Sequence, residues 1–154
     1  LNSEDAQILS AAIFSLGLIG SQNSMEKLLN FYDHSSARVR HQLSVALGSY
    51  NNDQSRKILY KLLNDIEPNV RWDAAISLAK QNDNKGRRII LDLMDRKYLD
   101  SFPNIDPIEQ SQAMMTAIAV SKKILDDEIK EVLVDLMEND VNMKIRQSAR
   151  NVLE

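Results

Sequence analysis

A short motif recurs along this chain at near-constant spacing, and a chain built that way has few folds open to it. Its clearest copy is Asp65-Ile-Glu-Pro-Asn-Val-Arg-Trp-Asp-Ala-Ala-Ile-Ser-Leu-Ala-Lys80. A polar turn leads into Pro68, which lacks an N–H and has a fixed φ, so it suits the first position of a helix. At 100° per residue, Val70, Ala74, Ser77 and Leu78 share one face, while Trp72, Ile76 and Ala79 point the other way. Alanine at packed positions lets a neighbouring helix come close.

The same grammar appears at Ser36-Ala-Arg-Val-Arg40, at Asn142-Met-Lys-Ile-Arg146, at Asp106-Pro107 and, more faintly, from Asp5. Starts at 5, 36, 67, 106 and 142 give steps of 31, 31, 39 and 36 residues. Such self-similarity marks a repeat array, in which each unit buries its apolar face only by stacking on the next. Between these "B" helices lie four apolar segments with i, i+3, i+4 spacing, the "A" helices. B helices are expected near 5–19, 36–49, 67–81, 106–123 and 142–153. A helices are expected near 22–32, 53–64, 84–97 and 127–138, with Asp53, Asn84 and Asp127 as caps and Gln22 or a neighbour in the first copy.

The pattern Asp-x-x-Pro-x-Val-Arg-x-x-Ala-Ala-x-x-Leu resembles the HEAT repeat, in particular the short bacterial form of phycobilisome-lyase type. The resemblance spans essentially the whole chain and is weakest in the fourth B helix, where Gln110 replaces the arginine and Glu109 stands for valine. It implies an all-α fold, a right-handed α-α superhelix of about four and a half helix pairs. It says little about function, because sites are grafted on folds. The alternative to such a solenoid is a closed bundle, in which residues 5–35 would pack on 106–154.

Residues 96–106 break the period and are expected to form an inserted loop carrying Tyr98 and Phe102. Residues 1–154 otherwise form a single repeat segment. Neither end carries an evident polar cap, so it is expected to belong to a longer protein, with Ile8, Leu9 and Ile13 at one end and Ile145 or Val152 at the other unusually exposed.

Composition narrows the chemistry. There is no cysteine, and His34 and His41 are the only histidines. No His-Glu pair of the kind used by HEAT-like deoxyhypusine hydroxylases is present, so neither metal nor cofactor is expected. No glycine-rich phosphate loop or serine–base arrangement occurs, and a non-enzyme is expected. Asp127, Glu131 and Asp135 read as a solvated helix face. The net charge of −3 argues against nucleic acid, and the basic cluster Lys85, Arg87, Arg88, Arg96 and Lys97 falls on an A helix. HEAT-like alkylpurine DNA glycosylases would need a basic B face. The apolar run 8–20 is too short to span a membrane and lacks a basic leader, so it reads as the first B helix; the cytoplasm is the expected compartment. Arg40, Arg71 and Arg146 share one repeat position. They are read as an internal ladder to turn carbonyls and carboxylates rather than as an anion site.

Two functional classes remain: an interaction scaffold, or an accessory segment of a larger enzyme, bilin-lyase-like or glycosylase-like. For the scaffold, the position five residues after the arginine reads Phe14, Val45, Ile76 and Met115, with Ser10, His41, Trp72 and Ser111 one turn earlier. With adjacent helices roughly 8–10 Å apart, the four apolar residues would make a ridge on the order of 30 Å long. A protein or peptide partner is expected there, with Trp72 beside His41 as anchor and the 96–106 insertion as its gate.

Overall fold

The computed structural model describes residues 3–154. Among them the secondary structure is entirely helical. In chain order the helices are α1 (Ser3–Ile19), α2 (Gln22–Leu28), α3 (Ala37–Leu47), α4 (Asp53–Leu62), α5 (Pro68–Lys80), α6 (Arg87–Leu93), α7 (Arg96–Asp100), α8 (Pro107–Ser121), α9 (Asp127–Asn139) and α10 (Met143–Leu153). Short 3-10 turns at Leu29–Phe31 and Asn84–Gly86 extend the A helices of the first and third pairs.

Local chemistry accounts for the starts. Pro68 and Pro107 occupy the first turn of α5 and α8. Ser21, Asn52 and Asp126 accept from the backbone N–H three residues on, while Asp83, Asp106 and Asn142 accept from the one two residues on. Three expected A-helix caps therefore move one residue earlier, from Asp53, Asn84 and Asp127 to Asn52, Asp83 and Asp126. A cap must itself lie outside the helix for its oxygen to reach those amides.

Packing runs from neighbour to neighbour. α1 lies on α3, α3 on α5, α5 on α8 and α8 on α10, while α2, α4, α6 and α9 form the second row. Among the described residues, no helix before residue 35 forms an extensive interface with one after 106, so the chain is an all-α solenoid and not a closed bundle. Helix α5 is the hinge of the core. Its Val70, Ala74 and Leu78 join the amino-terminal cluster with Leu43, Leu47 and Leu59. Its Trp72, Ala75, Ile76 and Ala79 join the carboxy-terminal cluster with Ile90, Ile118 and Leu133.

Small residues set the approach distances. A Cβ on Gly17 would stand 2.8 Å from Ala46 Cβ, and one on Gly86 2.7 Å from Ala75 Cα. Asn82, just past α5, takes φ 59°, a left-handed conformation that asparagine tolerates better than most residues.

Two expectations are corrected. The 96–106 segment is not simply a loop: it opens with helix α7, capped by Asp95, which ends the predicted 84–97 helix at Leu93. The expected exposure of the end repeats holds only in part. Ile8 is 65% exposed, but Ile13, Ile145 and Val152 are buried. Ile145 and Val152 face α8 and α9, and the outward side of α10 carries Lys144, Gln147 and Asn151 instead.

Candidate functional site

The arginine position is structural throughout. The Arg40, Arg71 and Arg146 guanidinium groups each donate to the two carbonyls five and six residues earlier: Ser35 and His34, Ile66 and Asp65, Val141 and Asp140. Gln110, the departure from the motif, does the same work by donating to Phe102 and Ile105 carbonyls. The turn carboxylates bind across repeats rather than within them. Arg40 grips Asp65 with two hydrogen bonds of 2.6 and 2.9 Å. Asp140 is held by Arg96 of the inserted helix at 2.8 and 2.7 Å. Burial raises the Asp65 and Asp140 carboxyls, but these guanidinium groups and a backbone amide outweigh it and hold both below the ordinary range.

The insertion is also fastened to α5. The Trp72 indole N–H donates to Tyr98 Oη at 3.2 Å. Phe102 meets Trp72 edge to face at 5.3 Å between centroids, and Tyr98 meets Phe102 at 5.1 Å. Trp72 is left 3% exposed. The exposed anchor expected from the sequence is therefore covered by the chain's own α7 segment.

The expected ridge is interrupted at the same place. Phe14 is 50% exposed on α1, and Val45 and Met115 are half-buried. Ile76 is 4% exposed because α8 packs directly on α5 and draws it into the carboxy-terminal core. Helical angle sets Ile76 opposite the buried Ala74 side of α5. In a stack, the opposite side is buried by the next repeat.

What remains at the centre is a groove of about 570 Å³ across α3, α5 and α8. His41, Trp72 and Ile76 line it, together with residues the sequence reading passed over as site candidates: Asn69, Asp73 and Glu109. Asn69 and Asp73 stand one turn apart on α5, on the side that carries Trp72 and Ile76. Burial pushes the Asp73 carboxyl up to about 6, with His41 and Lys80 opposing the shift. His41 Nδ1 is 3.1 Å from Asp73 Oδ2. The pair is not aligned as a hydrogen bond, since His41 Nδ1 has no such partner. Asn69 Oδ1 is likewise buried without one. The available signal was the Asn69 amide and the Asp73 carboxylate one turn apart on the helix side that carries Trp72 and Ile76.

A second groove of about 670 Å³ lies between α6, α7 and α9, lined by Arg88, Asp92, Glu131 and Asp135 among others. The basic cluster beside it is largely engaged: Arg87 with Asp126 and Glu128, Arg88 with Asp92, Arg96 with Asp140. Among the described residues there is no group of side chains able to hold a metal ion, and no helix is long and apolar enough to cross a membrane.

This fold defines a class, the helical-repeat solenoids. The family model for HEAT repeats matches residues 1–79 and, in an overlapping second match, 25–100. The chain belongs to the HEAT-repeat family. No curated protein matches it.

Proposed function

We propose that this chain is a non-catalytic protein-interaction scaffold that takes a peptide or protein segment along the B-helix side, across α5. HEAT repeats commonly act as interaction scaffolds. The observation that carries the reading here is the groove over α3, α5 and α8, with apolar Phe14, Val45 and Met115 still accessible on the same row of helices. Trp72 and Ile76 form the floor of that groove rather than its anchors, and His41 stands on its wall. The α7 segment fixes the floor from behind.

The test is selection of peptides from a displayed library on the isotopically labelled chain, followed by mapping of amide shifts. Enriched peptides should move α3, α5 and α8 amides, and Thr116→Trp, which fills the groove, should block them. A footprint confined to the α6–α9 groove, or no enrichment, would overturn the proposal.

A further inference from the structure

The groove floor carries two acceptors that the fold leaves under-supplied with donors. Among the described residues, the Asp73 carboxylate meets the His41 imidazole at 3.1 Å without hydrogen-bond alignment, and Asn69 Oδ1 is buried with no hydrogen-bond partner. By contrast, the turn and cap carboxylates Asp65, Asp126 and Asp140 each accept hydrogen bonds from a guanidinium. A half-hidden carboxylate whose one polar contact is unaligned costs stability that a fold normally recovers through a partner.

The charges around it have one sign in excess. The groove is lined by Glu67, Asp73 and Glu109 against Arg38 and the His41 imidazole, and Lys80 acts on Asp73 from its own helix. Asn69 and Asp73 are four residues apart, so their Cβ atoms stand roughly 5–6 Å apart on one helix face. A guanidinium presents several N–H donors in a rigid fork and sheds water more readily than an ammonium. It can bond the carboxylate and the amide oxygen together, where a single ammonium would favour one.

Building on the scaffold reading, we infer that the groove recognises an arginine side chain of the bound peptide, with Asp73 and Asn69 as its acceptors and Glu67 and Glu109 as an acidic rim. The peptide approaches over Glu67 and Glu109, and its arginine passes beside His41 to reach the floor. The methylene stem lies along Ile76 and the edge of Trp72.

The experiment is titration of the isotopically labelled full chain with a capped pentapeptide bearing one central arginine between leucines. The same peptide with citrulline, which keeps the shape and loses the charge, is the comparison. The arginine peptide should move amides of α3 and α5 and bind at least tenfold tighter than the citrulline peptide. Asp73→Asn should bring it down to the citrulline level, Asn69→Ala should weaken it severalfold, and Glu131→Gln, in the other groove, should leave it unchanged. Thermal unfolding of each variant confirms the fold.

If arginine and citrulline peptides bind equally on the same face, the arginine inference falls while the scaffold reading stands. A footprint over Glu131 and Asp135 overturns the inference, and so does unchanged affinity in both Asp73→Asn and Asn69→Ala. If neither peptide moves a groove amide the inference also falls, and the displayed-library footprint then decides the scaffold reading by itself.

Discussion

Asp65 and Asp73 sit eight residues apart and answer to pH in opposite senses. The Asp65 carboxyl is held below its ordinary value of 3.8 by Arg40 and a backbone amide, which together outweigh its burial. Its stabilisation is complete above that value and is lost as pH falls through the depressed one. Asp73 is raised to about 6 by burial, so the folded state holds its proton more tightly than the unfolded chain does. The penalty for its ionised form is full above about pH 6 and fades as pH falls toward 3.8. Asp73→Asn should therefore stabilise the free chain at pH 7.5 by on the order of 1–2 kcal/mol, a few degrees in melting temperature for a chain of this size. His41 and Lys80, which oppose the upward shift of Asp73, moderate the effect. Thermal melts of both proteins from pH 4 to 8 check this: the curves should converge near pH 4. A variant less stable than the parent at pH 7.5 would show that the His41 contact outweighs desolvation.

Among the elements, α7 is the one that departs from the repeat, and it does so with three attachments. Arg96 supplies Asp140 with the guanidinium that Gln110, at the repeat's arginine position, cannot offer. Tyr98 and Phe102 close over Trp72, and Gln110 holds the returning backbone at Phe102 and Ile105. Phe102→Ala should cost about 2 kcal/mol by removing edge-to-face and apolar contacts. Hydrogen exchange should show amides of 96–106 opening faster while those of α3 and α4 keep their protection. Equal acceleration in both regions would mean that the segment is part of the general core rather than a strap laid on it. The close approaches at Gly17 and Gly86 belong to this scale too, since each sets how near one helix lies to the next.

At the scale of the molecule, the absence of extensive end-to-end packing among the described residues makes stability a chain of nearest-neighbour terms. Two apolar clusters meet at α5, one on each side of that helix. Leu133, fully buried in the carboxy-terminal cluster, tests how far they are coupled. Leu133→Ala should cost roughly 2–5 kcal/mol. Hydrogen exchange should register it in α8, α9 and α10, with little change in α1 to α3. Uniform loss of protection from end to end would indicate a single cooperative unit.

The sequence alone determined the helix-pair repeat, its starts and its stacking, because these rest on local chemistry: proline at a first turn, small residues at packed positions, apolar residues at helical spacing. It also determined the arginine ladder, since a guanidinium five and six residues past a turn can reach that turn's carbonyls without help from the rest of the fold. Only the tertiary structure decided which apolar residues stay accessible. Helical angle places Ile76 and Trp72 away from the Ala74 face, but whether that side meets solvent depends on how closely α8 stacks and where the insertion folds back. Nor could the chain in one dimension show that Arg96 answers Asp140, that Tyr98 and Phe102 cover Trp72, or that Asn69 Oδ1 is buried without a donor. A missing partner is a property of everything packed around a side chain, and it becomes visible only when the neighbouring repeats are in place.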